Sequence, residues 1–472
     1  MSIKIKLAAI AKDEGAYIPQ WVYHHLFFGF DEIEIWLNNT TDSSEAILSA
    51  LSVFCGADKI KFRNADVLLN RCLKEELPFQ QTVYSKIYAE TLRESVCSHI
   101  IFLDLDEFWV PKDFSTSIKN YIYDSPYFDA ISFQWAIDMP DHYRHNFSRP
   151  FANMNLVQKN RHLKTLVGMT PRMQELSVHN HIIENGVYLL DNRQPFFDDD
   201  IETQNKSLLS QALHDAHKST LDDRAFILHQ INRSPLEYLS SLLRGRGHKN
   251  DDNVFKANRT GYVPDIDSGP SILFSVDAAL LERYNAGYEE FVERSAVQKS
   301  LRDARGFVTE RFNNAISRLK NEPALFDKYR MQIKGVKIND LVKEPLLVDS
   351  LLHSIDLFYV DEHYRTLTVH GWMFDTLSSV KPILSAHHSQ GKHLSLEILC
   401  LPRQDVSEVY PDADADCGFI VSITKQIDEP FFTDEIIEFA FSTGSGTQRV
   451  SINLAEVSTD TPVSGSDVIG HA

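Results

Sequence analysis

The chain has 472 residues, and 43% of them are hydrophobic, so it is long and apolar enough to bury at least one large core. Its formal net charge of −19 argues against a nucleic-acid partner, because such partners are held largely by phosphate contacts with basic side chains. No apolar run approaches the roughly 18 residues that span a bilayer, and the first residues alternate Lys with Ile, which predicts a strand and not a secretory signal.

The first hundred residues alternate between strand patterns and helix patterns. Runs of apolar and alternating residues predict four strands, at residues 3–10, 31–39, 58–66 and 99–108. Apolar residues at three- and four-residue steps predict three helices between them, at residues 16–30, 39–51 and 78–96. This order predicts an α/β fold with a mostly parallel sheet and right-handed crossovers. Ligands of such sheets bind beyond the carboxyl ends of the strands.

The pattern changes twice after this region. Short strands and polar loops continue to about residue 270, and the next stretch shows the charged, three- and four-residue spacing of helices. Short alternating strands separated by turn residues then predict a small β-sandwich. The predicted organisation is a Rossmann-like α/β domain, a helical segment, a β-sandwich and a flexible tail, at residues 1–270, 271–345, 346–458 and 459–472.

The five cysteines are an odd number, widely spaced, without a Cys-x-x-Cys pair. This usage predicts neither a disulfide framework nor a zinc site, and it indicates a reducing cytoplasm. One basic cluster, "LLRGRGHK", stands out in the acidic chain and includes Arg244 and Arg246. It is a candidate contact for a phosphate, for an anionic acceptor or for a membrane surface, although a helix that ends before glycine favours basic residues in any case.

Three carboxylates follow one apolar strand within four residues. The segment "SHIIFLDLDEFWV" carries Asp104, Asp106 and Glu107 directly after a buried pattern. Like charges at this spacing repel, and nearby apolar surface disfavours their ionised forms. A folded protein can satisfy such a cluster with a cation, with basic partners, or by holding a proton.

A divalent cation is the interpretation that the chemistry favours. Side chains two residues apart lie on the same side of a strand, so Asp104 and Asp106 can reach one ion. Hard oxygen ligands suit Mg²⁺ or Mn²⁺, and these ions complete their coordination with water and substrate phosphates. The pattern therefore indicates a metal that links protein carboxylates to a diphosphate. The alternative is that these acids solvate the end of a strand.

Four segments resemble glycosyltransferases of the GT-A type, in the group of families 2 and 92. The opening block has a Lys-Asp-Glu turn, a Trp and a His on the first helix, and then "NTTDSS"; the metal block is "FLDLDEFWVP". The segment "KTLVGMTPRMQELSVH" is similar to the Lys-to-His segment of the group, and "ILHQINRSPLEYLSSLLRGRG" is similar to its later block. These blocks lie within residues 5–247, about half of the chain. The later block departs from the group at Gln230, where an aromatic is usual, and at Arg233, where a lysine is usual.

The resemblance implies roles for individual residues. Asp106 would bind the metal directly, and Asp104 would contact the ribose or reach the metal through water. The other residues implied to surround the nucleotide are Asp13, Glu14, Asn38, Asn39, Asp42, Gln81, Lys86 and Arg233. Asn38, Asn39 and Asp42 have an alternative role, because these residue types also form turns and cap helices.

A histidine from later in the chain often completes a GT-A metal site. His229 ends the apolar run "AFIL" and lies four residues before Arg233. The guanidinium of Arg233 could bind a phosphate through two hydrogen bonds. His179 and His181 in "VHNH" are the competing candidates.

An inverting transfer also needs a base that takes the proton of the acceptor hydroxyl. Asp138 and Asp141 in "WAIDMPDHY" are candidates, and Glu175 is another. Their spacing in the sequence does not separate them.

The resemblance implies a hexosyltransferase-like enzyme that uses Mn²⁺ or Mg²⁺. It would move a sugar from a nucleotide-diphosphate donor, a UDP-sugar in the first instance, to a hydroxyl of a polysaccharide or glycolipid, with inversion. The predicted sandwich resembles a small domain attached to some bacterial glycosyltransferases. One rival is a sugar-nucleotide nucleotidyltransferase or hydrolase, but "AAIAKDEGAY" lacks the glycine-rich, basic phosphate loop of such enzymes. The other rival is a catalytically inert carbohydrate-binding protein.

Overall fold

A computed structural model describes most of the chain, namely residues 3–139, 144–152, 154–196, 208–221, 223–245, 253–263, 270–343, 346, 350–425, 429–456, 463–464 and 470–471. The chain divides into two compact units. The first comprises Met1–Lys256 and Asp265–Asn314, and the second comprises Ala257–Pro264 and Ala315–Ala472.

The first unit is built on a ten-stranded sheet. Its strands in chain order are β1 (Ile5–Ala11), β2 (Glu32–Leu37), β3 (Ile60–Asn64), β4 (His99–Phe102), β5 (Glu107–Pro111), β6 (Ala130–Asp138), β7 (Met154–Gly168), β10 (Tyr188–Leu190), β11 (Ala225–His229) and β12 (Ile272–Ser275). Two short strands pair separately with each other, β8 (Met173–Leu176) and β9 (His181–Ile183).

The sheet has the strand order β3-β2-β1-β4-β7-β6-β11-β5, with β10 beside β6 and β12 beside β7. The pairs β3/β2, β2/β1, β1/β4, β6/β10 and β6/β11 are parallel. Strand β7 is antiparallel to β4 and to β6, so β6 and β11 run in the same direction as β4. The predicted α/β fold with a mostly parallel sheet is confirmed.

The helices are α1 (Ile18–Phe27), α2 (Ser44–Cys55), α3 (Asp66–Lys74), α4 (Phe79–Glu94), α5 (Ile118–Tyr123), α6 (Gln211–His217), α7 (Pro235–Leu243), α8 (Ala278–Arg294), α9 (Gln298–Asn321), α10 (Pro323–Lys328), α11 (Arg330–Ile333), α12 (Ile338–Leu341) and α13 (Gln404–Val409). Within the described residues, no helix is long and apolar enough to cross a membrane.

Side chains alternate along each strand, so both faces of the sheet carry apolar residues, and helices pack against both faces. Leu7 of β1 belongs to a buried cluster that includes Trp21 of α1 and Leu48 of α2. Its neighbour Ala8 belongs to a second cluster, which includes Tyr84 of α4. Since the faces are filled, the carboxyl edge of the sheet is the part that its topology leaves for a ligand.

The strand predicted at residues 99–108 is two strands in the structure. β4 ends at Phe102, and β5 begins at Glu107 and pairs with β11 instead. The chain turns between them because the N–H of Glu107 donates to the carbonyl of Asp104 at 3.0 Å. Helix α3 is not among the predicted helices, and only Leu69 and Cys72 of its nine residues are buried.

The second unit contains two antiparallel sheets. Their strands are β13 (Leu351–Val360), β14 (Thr366–Asp375), β15 (Ile383–His388), β16 (Leu394–Leu401), β17 (Gly418–Lys425), β18 (Ile436–Ser442), β19 (Thr447–Asn453), β20 (Val463–Ser464) and β21 (Gly470–His471). One sheet has the order β16-β17-β14-β13-β20, and the other has the order β15-β18-β19-β21. Phe358, Phe419 and Phe439 from both sheets share one buried cluster, as in a β-sandwich. Of the predicted tail at 459–472, only β20 and β21 are described.

Candidate active site

Seven of the predicted site residues lie at or just beyond the carboxyl ends of strands that point in one direction. Strands β1, β2, β4, β6 and β11 share this direction. Parallel strands place their carboxyl ends at the same edge of a sheet. The residues at or just beyond these ends are Asp13, Glu14, Asn38, Asp104, Asp106, Asp138 and His229.

The turn between β4 and β5 is held by hydrogen bonds at both ends. The N–H of Asp104 donates to Oε2 of Glu107 at 2.8 Å. The indole N–H of Trp21, on α1, donates to the carbonyls of Asp104 at 3.0 Å and Glu107 at 2.9 Å. Trp21 is fully buried. The aromatic residue on the first helix therefore fixes the backbone that presents the acids.

Lys164 of β7 neutralises part of the acidic cluster. Its Nζ lies 3.1 Å from Oδ2 of Asp104 and 3.0 Å from Oε2 of Glu107. Burial alone would lower the pKa of Lys164, but the charges of Asp104 and Glu107 outweigh it and raise that pKa. Burial raises the pKa of Glu107 to about 7, against the opposing charge of Lys164. A basic partner, one of the three solutions open from the sequence, thus accounts for Asp104 and Glu107.

Asp106 faces His229 at the end of β11. Oδ2 of Asp106 and Nε2 of His229 are 3.6 Å apart. The His229 side chain is 8% exposed and that of Asp106 is 23% exposed, so this pair lies at the margin of the core. Nδ1 of His229 is buried and has no hydrogen-bond partner in the described part of the chain. The backbone positions the pair, because the N–H of Gln230 donates to the carbonyl of Asp106 at 2.8 Å.

Two of the candidate histidines surround one tryptophan. The ring of Trp135 lies 4.2 Å from the ring of His229 and 5.5 Å from that of His179, between centroids. Nδ1 of His179 bonds to the carbonyl of Leu163 at 3.0 Å. Burial, and then the charge of Lys164, lower the pKa of His179 to about 4, so its ring is neutral at pH 7. His181 is 1% exposed, and burial lowers its pKa to about 3.

The acids after β1 are bound to arginines from later elements. Oδ1 of Asp13 accepts the N–H of Thr41 at 2.8 Å, and Arg311 of α9 lies 3.3 Å from Oδ2 of Asp13. Glu14 is paired with Arg244, and Nη1 of Arg233 lies 3.7 Å from Oε2 of Glu14. The guanidinium groups that neutralise these acids therefore lie at the edge where the strands end.

The polar residues after β2 hold the backbone. Asp42 accepts the N–H of Gly15 at 2.8 Å and the N–H of Ser44, the first residue of α2, at 2.9 Å. Asn39 has a φ of 45°, which asparagine tolerates better than most residues. Its N–H donates to Oδ1 of Asp66 at 2.6 Å. Asn38 is buried, and its N–H donates to the carbonyl of Ala11 at 3.0 Å. In the structure Asp42 and Asn39 hold the helix entry and the turn, which is the alternative role raised from the sequence.

The two residues proposed from helix α4 lie on its more exposed side. Gln81 is half-buried and Lys86 is exposed. Nζ of Lys86 lies 5.6 Å from the centroid of the Trp36 ring. This contact does not join Lys86 to Asp104 or Asp106.

The three candidate bases have different surroundings. Asp138 is buried, and its oxygens accept hydrogen bonds from Arg144, at 2.6 and 3.0 Å, and from Nε2 of Gln230 at 3.0 Å. Glu175 is exposed on β8. Asp141 lies outside the described residues. Of the described candidates, Asp138 is therefore the one that lies at the same edge of the sheet as Asp106.

Sequence patterns assign no individual role to several residues that shape this edge. Lys164 lies within one of the similar segments, and no motif marks Arg311, Arg144 or Trp135. A buried lysine inside an apolar strand is a detectable sequence feature, because it requires a carboxylate partner. Arg311 carries no such feature, since it is 298 residues from Asp13 along the chain.

The side chains of Asp106 and His229 can be compared with the coordination geometry of a divalent cation. Two ligands of one Mg²⁺ ion, each at about 2.1 Å, lie roughly 3 Å apart, and the Asp106 and His229 atoms are separated by 3.6 Å. Within the described residues, no group of three His, Cys, Asp or Glu side chains is arranged to hold a metal ion. One or two protein ligands completed by phosphate and water is the usual arrangement for Mg²⁺. Asp106 and His229 therefore fit such an ion as a partial shell.

No protein-family model matches the chain, and no curated protein matches it. The chain is similar to a crystal structure of the galactosyltransferase LgtC in complex with donor and acceptor sugar analogues, at 12% identity and a TM-score of 0.25, over 49% of this chain and 89% of that one. It is also similar to a structure of an active-site mutant of LgtC, at 13% identity and a TM-score of 0.25, over the same shares of both chains. These values assign neither a family nor an activity.

Proposed function

We propose that the protein is a metal-dependent glycosyltransferase of the GT-A type that uses a nucleotide-diphosphate sugar. The observation that carries the proposal is the pairing of Asp106 with His229, at 3.6 Å, at the carboxyl edge of a mostly parallel sheet. In open α/β sheets this edge is where ligands bind. The order of an acid pair after the fourth strand and a histidine on a later strand matches the resemblance seen in the sequence.

Asp106 and His229 would hold Mn²⁺ or Mg²⁺, and the bound ion would offset the charge of the leaving diphosphate. Arg233 lies four residues after His229. It contacts the turn that carries Asp106 directly, because Nη2 of Arg233 donates to the carbonyl of Leu105 at 3.1 Å. A guanidinium in this position can bind phosphate oxygens in a bidentate way. Trp21 and Lys164 would keep the turn in place while the diphosphate leaves.

The sequence resemblance is the basis for three further parts of the proposal. The donor base is uridine, the acceptor is a polysaccharide or glycolipid, and the transfer inverts the sugar with Asp138 as the base. Asp138 already accepts hydrogen bonds from Arg144 and Gln230.

A catalytically inert carbohydrate-binding protein is a second candidate, and one observation favours it. Lys164 pairs with both Asp104 and Glu107, so most of the acidic cluster is satisfied without a cation. The two candidates differ in turnover, because an inert protein releases no nucleotide from any donor.

The experiment is an assay of nucleotide diphosphate release from UDP-, GDP-, CDP- and dTDP-sugars with Mn²⁺ or with EDTA. The proposal predicts metal-dependent release from one donor class. It also predicts at least a hundred-fold loss in Asp106→Asn and in His229→Ala. Asp124→Asn is the matched control, since Asp124 is an exposed acid after α5. Absence of release from every donor, or full release in Asp106→Asn, contradicts the proposal.

A further inference from the structure

A cavity of about 480 Å³ lies in the first unit beside the candidate site. Its wall includes the aromatic side chains of Tyr17, Phe147 and Tyr288, and it also includes Gln230 and Arg233. Small-molecule sites in proteins typically measure about 300–1,000 Å³. The cavity is therefore large enough for one or two sugar rings. Of the residues assigned above to the metal and the nucleotide, Arg233 is the one that lies in its wall.

Three arginines in the wall each cover an aromatic ring. The distances from the guanidinium carbon to the ring centroid are 3.4 Å for Arg233 over Tyr17, 5.3 Å for Arg305 over Phe147 and 5.6 Å for Arg149 over Tyr288. Stacking fixes the plane of a guanidinium and leaves its N–H donors directed around the edge. The wall thus combines apolar ring faces with oriented donors.

The charges of the wall are balanced. Arg149, Arg233 and Arg305 are matched in number by three glutamates, which are Glu237, Glu289 and Glu293. Nη2 of Arg149 lies 2.6 Å from Oε1 of Glu289. A wall without excess positive charge does not select an anion, because an anion would lose its water shell without a compensating field.

Arg149 and Arg305 bring guanidinium donors to the wall. A hydroxyl group of a ligand can accept a hydrogen bond from a guanidinium without adding charge.

From these observations we propose that the cavity binds a neutral saccharide. Its hydroxyl groups would accept from Arg305 and Arg149 and donate to the glutamates, and the C–H faces of its rings would lie against Tyr17, Phe147 or Tyr288. Aromatic surface with a few placed polar groups is the usual composition of a small-ligand pocket.

The saccharide is the acceptor, an assignment that rests on the proposed function. Gln230 connects the two regions: its side chain lines the cavity and donates to Oδ2 of Asp138, while its N–H donates to the carbonyl of Asp106. A sugar in the cavity would therefore meet Gln230, which bonds to both the candidate base and the candidate metal ligand.

The test is saturation-transfer NMR on the full chain with lactose, cellobiose, maltose and methyl β-glucoside, and with glucuronic acid as the anionic comparison. We expect saturation of the ring C–H protons of at least one neutral sugar. Arg305→Ala and Arg149→Ala should each weaken its binding at least ten-fold. Arg302→Ala is the matched control, because Arg302 is exposed on the same helix and is absent from the cavity wall. Thermal unfolding identifies any variant that fails to fold. If one of the two arginine variants does not fold, the binding measured with the other variant tests the inference.

The inference is overturned if no neutral sugar binds, or if glucuronic acid is the only ligand that binds. It is also overturned if both arginine variants bind the neutral sugar as tightly as the natural chain does. Asp106→Asn separates it from the proposed function, since this change should leave sugar binding intact while abolishing nucleotide release. If sugar binds but no donor releases nucleotide, the proposed function and the acceptor assignment fail, and the cavity remains a saccharide site.

Discussion

Nζ of Lys164 lies 3.0 Å from Oε2 of Glu107, and both side chains are completely buried. The same ammonium group lies 3.1 Å from Asp104, whose side chain is 40% exposed. The buried ammonium group of Lys164 therefore neutralises Asp104 and Glu107. Asp106, the remaining acid of the cluster, faces His229. This division gives the cluster a structural part and a part that can serve a ligand.

Removal of Lys164 should destabilise the fold strongly. In Lys164→Met, Glu107 remains buried without its partner, so we expect the free energy of unfolding to fall by about 3–5 kcal/mol. Urea unfolding followed by circular dichroism measures the change. Lys112→Met is the control, because Lys112 is exposed, and its effect should stay within about 0.5 kcal/mol. A loss below about 1 kcal/mol for Lys164→Met would show that the pair contributes little to stability.

Asp42 should act on stability and not on nucleotide binding. Its carboxylate accepts the N–H groups of Gly15 and Ser44, so Asp42→Ala should lower the free energy of unfolding by about 1–2 kcal/mol. The measurement is thermal and urea unfolding beside Asp58→Ala, an exposed acid before β3. An Asp42→Ala variant with unchanged stability and lost nucleotide binding would instead support the ligand contact implied by the resemblance.

The second unit should lose stability in acid through Glu435. Burial alone would raise the pKa of this carboxyl, but hydrogen bonds from Lys392 and Lys425, both at 2.8 Å, outweigh it and lower the pKa from 4.5 to about 2. Nε2 of His388 also lies 3.2 Å from Oε1 of Glu435. A carboxyl with a lowered folded-state pKa stabilises the fold above its unfolded value, and this contribution disappears as the pH falls from about 4.5 to about 2.

Glu435→Gln should therefore unfold more easily than the natural chain at pH 7, and its stability should depend less on pH below 4.5. Glu397→Gln, at an exposed position on β16, is the control. The check is a series of urea titrations between pH 2.5 and 7. Parallel pH profiles for the natural chain and Glu435→Gln would mean that this carboxyl does not set the acid dependence.

Asp138 and Glu175 should differ as candidate bases. Asp138 ends β6 at the carboxyl edge and is buried, whereas Glu175 is exposed on the separate β8 and β9 pair. Asp138→Asn should lower kcat by about 100-fold or more, in the range typical of a lost general base, with little change in the KM for the donor. Glu175→Gln should change kcat less than two-fold. The reverse order would make Glu175 the base.

The sheet and the position of the acids followed from the sequence because both depend on local patterns. Period-two and helical spacing located β1 to β4, and the polar residues after them marked the carboxyl edge. The turn at 103–106 did not follow, because hydrogen bonds between Asp104 and Glu107 end β4 early. Lys164 and Arg311 could not be placed either, since their partners lie 60 and 298 residues away along the chain.

The most direct test of the central claim is a thermal-shift titration with UDP, GDP, CDP and dTDP, each with Mn²⁺, Mg²⁺ or EDTA. The natural chain, Asp106→Ala and Asp124→Ala would be compared. A ligand at about 100 times its dissociation constant adds roughly 2.7 kcal/mol to the folded state, which raises the melting temperature by a few degrees. We predict a shift with one nucleotide that requires the metal, persists in Asp124→Ala and disappears in Asp106→Ala. No shift with any nucleotide, or an equal shift in EDTA and in Asp106→Ala, would contradict a metal–diphosphate site at Asp106 and His229.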